Sequence, residues 1–285
     1  MASLDYKITD NVLGYASVST GFRSGFIDQN DLSNILEPET VTNFEAGFKS
    51  DLFDNRVRFN ASAFYSDYSD IQVDQFSVDE FEPGEDPGSP ELIISNAAEA
   101  TIWGFEGELQ IQPTDELFIS GTVGYTNGDF DEFIGEGTNI TVPDDPDTPD
   151  VNEQITEVID VDQSGDPIGG PEWQFSILGR YEAHLTPTLK AGVQLNYSWI
   201  DERNLAAERV AVLLEPGQER VPSIGLLNGQ IDFDVDDSWN IAFYGKNIFD
   251  NEHFSTGFAI DTAGGLAQRI VGDPRTYGVR VRKSF

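Results

Sequence analysis

Residues 275–285 read RTYGVRVRKSF, and this short stretch decides how the rest of the chain is interpreted. Tyr277, Val279, Val281 and Phe285 are apolar or aromatic, and small or basic side chains separate them. A period of two is typical of a β-strand with one apolar and one polar face. We therefore predict the closing strand of a β-barrel, with its apolar side chains facing lipid and its last aromatic at an interface.

The same alternation recurs along the chain, which predicts ten strands. Each predicted strand has about ten residues, which is longer than the usual strand of a soluble sheet and fits a tilted strand that crosses a bilayer. The predicted strands are 11–20, 42–52, 56–68, 98–111, 117–127, 172–184, 189–199, 224–235, 239–248 and 275–285. Residues 2–9, with Leu4 and Tyr6 alternating, look like the end of an earlier strand.

The predicted connections alternate between short and long. Short turns fall at 53–55, 113–116, 185–188 and 236–238, and long loops at about 21–41, 69–97, 128–171, 200–223 and 249–274. Outer-membrane barrels have short turns on the periplasmic side and long loops outside. The pattern therefore predicts an all-β, antiparallel transmembrane barrel over residues 1–285, with long acidic extracellular loops at about 69–97 and 128–171.

The charge of the chain excludes several classes of function. The formal net charge is −35, and no Lys or Arg occurs between Arg58 and Arg180. Nucleic-acid binding is excluded as a role, because phosphate contacts need basic side chains. The chain has no cysteine, so it has neither disulfides nor thiolate metal sites. No run of 18 apolar residues predicts a transmembrane helix.

The two faces of the predicted strands differ in polarity. The apolar face carries aromatic residues near its ends, which fit interfacial girdles, and the other face carries charged residues that could line a wet interior. The aromatic residues are Trp173, Tyr197, Trp199, Trp239 and Phe285, and the charged ones are Glu106, Glu108, Arg180, Glu182, Asp232, Asp234, Lys246, Arg280 and Arg282. A soluble amphipathic sheet is the alternative interpretation, and strand length and turn asymmetry argue against it.

At this point the sequence resembles the C-terminal part of a TonB-dependent outer-membrane receptor. The resemblance lies in several stretches that occur in the family's order and cover nearly all of the chain outside its long loops. They are STGFRSGF, LEPETVTNFEAGFKSDLFDNRVRFNASAFYSDYSDIQV, AAEATIWGFEGELQIQPTDELFISGTVGYTNGDF, PEWQFSILGRYE, WNIAFYGKNIFDNE and PRTYGVRVRKSF.

The resemblance implies a barrel of 22 strands filled by an N-terminal plug, together with a short motif gripped by the energy-transducing protein TonB. This chain has about ten of those strands and neither the plug nor the motif, so we expect a truncated part of a receptor. An isolated fragment of this size is expected to form an open partial barrel with exposed edges at 11–20 and 275–285.

The resemblance also implies partners and a location. The family resides in the outer membrane of Gram-negative bacteria, in contact with lipid and lipopolysaccharide. The barrel assembly machinery recognises the terminal strand of family members. In this chain the matching residues are Tyr277, Val279, Val281 and Phe285. TonB would act through the missing plug region, and the remaining partner would be a small-molecule ligand.

Candidate ligand-binding residues lie in the predicted extracellular loops. Arginine pairs bidentately with carboxylate or phosphate, so an anionic ligand could be held by the arginines, and Phe22 could stack on it. The candidates are Phe22, Arg23, Arg203, Arg209, Arg220 and Arg269. The alternative for each arginine is a local ion pair that orders its loop.

One stretch of the largest loop resembles a calcium-binding loop. Asp160, Asp162, Ser164 and Asp166 place oxygen ligands at alternate positions, with Gly165 at the bend. The bidentate Glu expected at the twelfth position is absent, so loop-bound Ca²⁺ stands beside the alternative of a solvated acidic loop. No other cofactor is expected.

The predicted function follows from the resemblance. We expect an active-transport receptor, energised through TonB, for a scarce ligand such as a ferric siderophore, cobalamin, haem or an oligosaccharide. No catalytic constellation occurs, so an enzyme is not expected. The alternatives are a complete ten-stranded barrel that acts as a passive pore or surface binding protein, and a gene remnant without transport.

Overall fold

The structure is a computed structural model that describes residues 1–27, 35–77, 91–141, 155–204, 220–236, 238–260 and 266–284. These ranges hold sixteen β-strands, and none of them contains a helix able to span a membrane. The strands are β1 (Ala2–Thr9), β2 (Val12–Arg23), β3 (Glu39–Leu52), β4 (Val57–Ser77), β5 (Glu91–Ile111), β6 (Leu117–Thr141), β7 (Ile155–Asp162), β8 (Trp173–Thr186), β9 (Leu189–Ile200), β10 (Arg203–Asn204), β11 (Arg220–Val221), β12 (Ile224–Val235), β13 (Trp239–Lys246), β14 (Phe254–Ile260), β15 (Leu266–Val271) and β16 (Thr276–Lys283).

Eleven strands form one antiparallel sheet in the order β1-β2-β3-β4-β5-β6-β8-β9-β12-β13-β16, and β7 pairs with β6 beside this path. Hairpins β10–β11 and β14–β15 form two small separate sheets. All ten predicted strands lie in the main sheet, which confirms the all-β antiparallel prediction. The sheet is not closed, because β1 and β16 end the order without pairing with each other.

The eleventh strand corrects one prediction about the sheet edges. Ala2–Thr9 is a full strand, and its register with β2 runs from Ala2 opposite Val18 to Thr9 opposite Val12. Its side chains are all exposed, as expected of a strand with a neighbour on one side only. The first edge of the sheet is therefore β1 and not the segment 11–20, while β16 forms the second edge as predicted.

The strands reach further into the predicted loops than the alternation indicated. β4 continues to Ser77, β5 begins at Glu91 and β6 continues to Thr141, so much of 69–97 and 128–171 is hairpin. A small apolar core holds these extensions together. It consists of Ala98, Ala100, Phe130 and Phe133, with Tyr68, Ile71, Val73 and Ile168 packed against it. These residues lie at the long-connection end of the sheet, which we call the rim. Their packing outweighs the weak strand propensity of the polar, acidic sequence.

The register keeps the two faces of the sheet distinct. Gln194 lies opposite both Arg180 and Gln230, whereas Val193 lies opposite Tyr181 and Ile231. Polar residues therefore follow one face and apolar residues the other. The apolar face is open to the surroundings, with Leu195 and Phe243 about half exposed. A sheet that exposes this much apolar surface needs lipid or a further protein layer against it.

Aromatic side chains cluster on the apolar face near the long-connection ends of β5, β6, β8 and β9. The ring centroids of Tyr125 and Trp173 are 4.8 Å apart, and those of Phe175 and Trp199 are 5.5 Å apart. Trp239 lies at the opposite, short-turn end, and the Lys283 ammonium lies 4.7 Å from its ring centroid. Two aromatic zones at the two ends of the strands are consistent with the predicted girdles.

Candidate functional site

The polar face of β8, β9 and β12 carries a network of ion pairs. The Arg180 guanidinium donates from Nη1 and Nη2 to the two carboxylate oxygens of Asp232, at 3.0 and 3.1 Å. Its Nε donates to Glu182 at 2.6 Å, and the Lys190 ammonium lies 2.5 Å from the other oxygen of Glu182. The Asp232 side chain is only 3% exposed, so this carboxylate depends on Arg180 for its compensation.

Gly192 makes the bidentate pair possible. Arg180 lies on β8 and Asp232 on β12, and strand β9 runs between them. A Cβ atom at Gly192 would lie 2.8 Å from both Arg180 Nη2 and Asp232 Oδ2. The missing side chain therefore leaves the space in which the two charged groups meet. Sequence analysis identified Arg180 and Asp232 as interior charges but gave Gly192 no role, because only the register shows what it faces.

On β3 and β5, the acidic side chains of the polar face accept hydrogen bonds from neutral groups instead of pairing with cations. The Tyr15 hydroxyl donates to Glu45 at 2.6 Å. Glu108 accepts from the side-chain amides of Asn60, at 3.3 Å, and Gln110, at 2.7 Å. This region encloses a recess of about 540 Å³ on the face that would line the interior of a closed barrel.

A second recess of about 560 Å³ lies between β9, β12, β13 and β16. Gln230 connects it to the ion-pair network, since its amide donates to Asp232 at 2.8 Å and its carbonyl oxygen accepts from Arg280 at 3.1 Å. Amide and basic side chains line its wall: Gln194, Asn196, Asn228, Gln230, Lys246 and Arg280. Such a wall offers donors to anionic or carbonyl-bearing groups.

Two amide side chains fasten the segment before β3 to hairpin β4–β5. Gln72 donates to the carbonyl oxygens of Ser24 and Glu37, at 3.1 and 3.0 Å. Asn96 accepts from the Glu37 N–H at 2.8 Å and donates to the carbonyl oxygens of Glu37 and Asp70. The described part of this connection is therefore tied to the rim.

A second anchor follows β13, in the sequence NIFDN. Asn247 is buried, has a φ of 47° and donates to the carbonyl oxygens of Asn251 and Asp273. Asn251 donates its side-chain amide to the carbonyl oxygen of Gly225 at 2.7 Å. Asn tolerates the left-handed conformation better than most residues, which explains its use at this turn. The anchor brings the start and end of the β13–β16 connection together.

Three predicted ligand-binding arginines lie in neighbouring hairpins on the long-connection side. Arg203 donates to the carbonyl oxygen of Ser255 at 2.8 Å, which joins β10 to β14. Arg220 pairs with Glu202 at 3.0 Å, and the Arg269 guanidinium lies 5.2 Å from the ring centroid of Phe254. The structure thus places the three in one region, each with a local partner, and their ligand-binding role stays a prediction.

The other predicted ligand-binding residues are not brought into that group. Phe22 and Arg23 were predicted in a loop, but they are the last two residues of β2, so they point to opposite faces. Phe22 is 77% exposed and follows the apolar face of Val18 and Thr20. The loop placement was wrong because β2 continues three residues beyond the predicted strand 11–20. Arg209 lies outside the described residues.

The calcium-like sequence forms the end of β7 and the turn after it. Asp160 and Asp162 belong to the strand, and the side chain of Asp160 lies outside the described part. Hydrogen bonds from the Ser164 hydroxyl and backbone N–H lower the pKa of Asp162 below its ordinary value. Ser164 also accepts from the Phe133 N–H at 3.0 Å. These groups serve the turn, and no cluster of three metal-binding side chains occurs within the described ranges.

The predicted assembly signal lies on edge strand β16. Tyr277, Val279 and Val281 share one face and are 69, 59 and 58% exposed. They meet the apolar face of β13, where Val279 lies opposite Phe243 and Val281 opposite Ile241. Phe285 lies outside the described residues. The recognition role of this strand stays a prediction.

Comparison with known proteins identifies the family. The family model "TonB dependent receptor-like, beta-barrel" matches residues 1–248. The chain is 22% identical over 295 residues to the ferric-pyoverdine M114 receptor PbuA of Pseudomonas sp. (strain M114), covering 100% of this chain and 29% of that receptor.

Solved structures show the same fold. The ferric yersiniabactin uptake receptor FyuA of Yersinia pestis is 17% identical, with a TM-score of 0.71 over 99% of this chain and 36% of that one. The siderophore receptor PiuA of Acinetobacter baumannii is 18% identical, with a TM-score of 0.64 over 98% and 34%. This chain spans roughly a third of the length of these relatives. It belongs to the TonB-dependent receptor-like β-barrel family and forms a partial barrel.

Proposed function

We propose that this chain forms part of the barrel wall of an outer-membrane receptor that takes up a ferric siderophore with energy supplied through TonB. The observation that carries the proposal is the open eleven-stranded amphipathic sheet, whose fold is that of the siderophore receptors FyuA and PiuA. The relatives with named ligands include receptors for pyoverdine, yersiniabactin and preacinetobactin, which favours a ferric siderophore over cobalamin, haem or an oligosaccharide.

The alternative of a passive pore is less well supported. A pore needs a closed wall around its channel, and β1 and β16 remain unpaired edges in the described sheet. A transport receptor assembled from more strands and a plug accounts for the same edges. In that receptor, lipid and lipopolysaccharide would contact the apolar face, the assembly machinery would read the end of β16, and TonB would act through the plug.

The ligand would first meet the hairpins on the long-connection side. Arg203, Arg220 and Arg269 supply positive charge there, within a chain whose net charge is −35. Their partners include a carbonyl oxygen, a carboxylate and an aromatic ring, and a guanidinium can donate to several acceptors at once. Ferric siderophores present carboxylate, hydroxamate or catecholate oxygens, which guanidinium groups can bind.

A chimeric receptor tests this function. The segment of PbuA that matches this chain would be replaced by residues 1–285, and the chimera expressed in cells without their own ferric-pyoverdine receptor. Surface labelling would measure insertion into the outer membrane. Uptake of radioactive iron from a panel of ferric siderophores, and of cobalamin and haem, would be compared in cells with and without TonB.

We expect insertion and TonB-dependent uptake from at least one ferric siderophore. Removing the three charges together (Arg203→Gln, Arg220→Gln and Arg269→Gln) should reduce that uptake about tenfold or more, whereas Arg56→Gln at a short turn should leave it unchanged. Uptake of cobalamin or haem alone would overturn the ligand class. A chimera that fails to insert while PbuA does would overturn the role in the barrel.

A further inference from the structure

The two recesses of the polar face differ in charge. The recess of about 540 Å³ is lined by one cation, Lys49, and by the carboxylates of Glu106 and Glu108. The recess of about 560 Å³ is lined by two cations, Lys246 and Arg280, and no acidic side chain occurs among its described lining residues. We call the first the acidic recess and the second the basic recess. In a chain with a net charge of −35, this local excess of positive charge favours an anionic occupant.

The described part of the chain does not neutralise the two cations of the basic recess. The side chains of Lys246 and Arg280 are exposed, and neither forms an ion pair within the residues that the structure describes. Arg280 donates from Nη2 to the neutral carbonyl oxygen of Gln230 at 3.1 Å. A guanidinium has five N–H donors and an ammonium group has three. Most of these donors can therefore bind another acceptor.

The amide side chains of the basic recess add further donors. The carbonyl oxygen of Asn228 accepts from the Asn247 N–H at 3.0 Å, so the group that Asn228 can offer to the recess is its NH₂ group. Asn196 and Gln194 line the same wall and can donate as well. A cationic wall that is rich in donors complements the oxygens of a carboxylate or a phosphate.

Gln230 holds Arg280 in place and separates it from the neighbouring carboxylate. Its amide NH₂ group donates to Asp232, while its carbonyl oxygen accepts from Arg280. Both oxygens of Asp232 already accept from Arg180, so the charge of this carboxylate is compensated within the ion-pair network. The positive charge of Arg280 therefore remains available to an occupant of the recess.

The basic recess begins at the long-connection end of the sheet. Lys246 is the last residue of β13 at this end and lies opposite Thr276, whereas Arg280 lies opposite Ala242. Ala242 is four residues from Lys246, so the two cations are separated along the strands by about 13 Å. The hairpins that carry three further cations lie on the same side of the sheet: Arg203, Arg220 and Arg269. Positive charge therefore continues from these hairpins inward along one wall.

We propose that the basic recess is a binding site for an oxyanion group, a carboxylate or a phosphate, of a small molecule that moves along the polar face. Lys246 and Arg280 supply the charge, Asn228 and Asn196 donate further hydrogen bonds, and Gln230 positions Arg280. A ferric chelate with free carboxylates would reach this site after the hairpin arginines. That place in transport rests on the function proposed above, whereas oxyanion binding by the recess does not.

Single cysteines test the charge of the two recesses in the chain alone. Because the natural chain has no cysteine, Asn196→Cys places one thiol in the basic recess and Ser62→Cys places one in the acidic recess. Each variant would be refolded in detergent and treated with an anionic, sulfonate-bearing and a cationic, trimethylammonium-bearing methanethiosulfonate reagent. Both positions are half-buried, and the ratio of the two reaction rates at one position removes any difference in access.

We expect the ratio of anionic to cationic reaction rates to be about tenfold or more higher for Asn196→Cys than for Ser62→Cys. In the Asn196→Cys background, Lys246→Gln/Arg280→Gln should lower the ratio to that of Ser62→Cys. Lys246→Arg/Arg280→Lys keeps both charges and should preserve it. Equal ratios at the two positions, or a ratio that the glutamine variant leaves unchanged, would overturn the proposal.

Protection of the same thiol tests occupancy of the basic recess. The rate of Asn196→Cys with an uncharged methanethiosulfonate reagent would be measured in citrate, in inorganic phosphate and in sodium chloride of equal ionic strength. We expect citrate or phosphate to slow the reaction in a saturable way, and the stronger of the two identifies the preferred oxyanion. The Lys246→Gln/Arg280→Gln variant should lose this protection. Slowing no greater than that in sodium chloride would show screening without binding and would overturn the proposal.

The PbuA chimera tests the place of the recess in transport. Lys246→Gln/Arg280→Gln should reduce uptake of a ferric chelate that carries free carboxylates by about fivefold or more, and should leave uptake of an uncharged ferric chelate of similar size unchanged. Equal loss for both chelates would show that the two cations support the fold and not the passage of the ligand. A chimera that takes up neither chelate would contradict the proposed function, and the cysteine measurements would still decide whether the recess binds an oxyanion.

Discussion

The acidic side chains have different kinds of partner in two regions of the polar face. On β8 and β12, Glu182 and Asp232 meet the cations Arg180 and Lys190. On β3 and β5, the carboxylates of Glu45 and Glu108 accept hydrogen bonds from the neutral hydroxyl or amide groups of neighbouring strands. The two regions belong to the same sheet, so fold alone does not explain the contrast.

The difference follows from exposure and from the distribution of basic residues. The Asp232 side chain is 3% exposed and needs a compensating charge, since an isolated buried carboxylate is costly. Glu106 and Glu108 border an open recess, where water can solvate them. Between Arg58 and Arg180 the chain has no Lys or Arg, so the cation that lines this recess, Lys49, comes from β3. The ion-pair region should therefore contribute to stability, and the acidic region should depend more on what occupies the recess.

The largest effect is expected for Arg180→Met. The substitution leaves Asp232 buried without its cation and should lower the free energy of unfolding by about 3 kcal/mol, the lower end of the range for broken buried pairs. The measurement is the urea midpoint of the chain refolded into phospholipid vesicles. Arg282→Met, on the same face but without a carboxylate partner in the described structure, is the matched control.

A second variant distinguishes charge pairing from simple packing. Arg180→Met combined with Asp232→Leu removes the uncompensated charge and should recover most of the lost stability. A double variant as unstable as Arg180→Met alone would show that the guanidinium acts by filling space. That outcome would remove the contrast between the two regions of the polar face.

The next effect is expected for Gly192→Ala. The new Cβ would press against Arg180 Nη2 and Asp232 Oδ2, and the forced shift should lower stability by about 1–3 kcal/mol. Gly179→Ala is the control, because no atom lies within 4 Å of a Cβ at Gly179. In the Arg180→Met background the effect of Gly192→Ala should shrink, since the two residues are coupled. Equal urea midpoints for the two alanine variants would contradict the role assigned to Gly192.

Sequence alone was sufficient for the strands whose alternation is strong. In β9 and β12 the apolar residues alternate with polar ones. The period of two therefore predicts that these segments are strands, and it predicts which of their residues share the apolar face. The extended rim was not predictable in this way, because Phe130 and Phe133 acquire their burial only from hairpins far apart in sequence. β1 was recognised only as the end of a strand, although Leu4, Tyr6 and Ile8 alternate with polar residues along it.

The candidate site was less predictable than the fold. The arginines at 203, 220 and 269 could be selected as loop cations, but their partners depend on how two hairpins meet. Phe22 falls outside the predicted strand 11–20, although β2 continues to Arg23. The roles of Gly192 and Asn247 depend on a neighbouring strand and on a left-handed turn, and neither can be read from spacing.

A smaller effect is expected in the acidic region for Tyr15→Phe. The variant removes the hydroxyl that donates to Glu45 at 2.6 Å. A water molecule in the recess can donate to Glu45 in place of that hydroxyl. The free energy of unfolding should fall by about 1 kcal/mol, clearly less than for Arg180→Met. Tyr65→Phe is the control, because that hydroxyl has only a 3.5 Å contact with Thr101. A loss as large as that of Arg180→Met would mean that the recess is closed to water.

The smallest effect is expected for Arg58→Gln, at the short-turn end of β4. Its guanidinium lies 2.7 Å from Asp51, as close as the pairs of the Arg180 network, but both side chains are about half exposed. Water solvates an exposed carboxylate that loses its partner, so the urea midpoint should not shift measurably, and 1 M salt should not change that result. Arg58→Gln and Arg180→Met thus remove ion pairs of similar geometry at different depths. If both variants shifted the midpoint equally, contact distance and not burial would set the strength of these pairs, and the contrast between the two regions would need another cause.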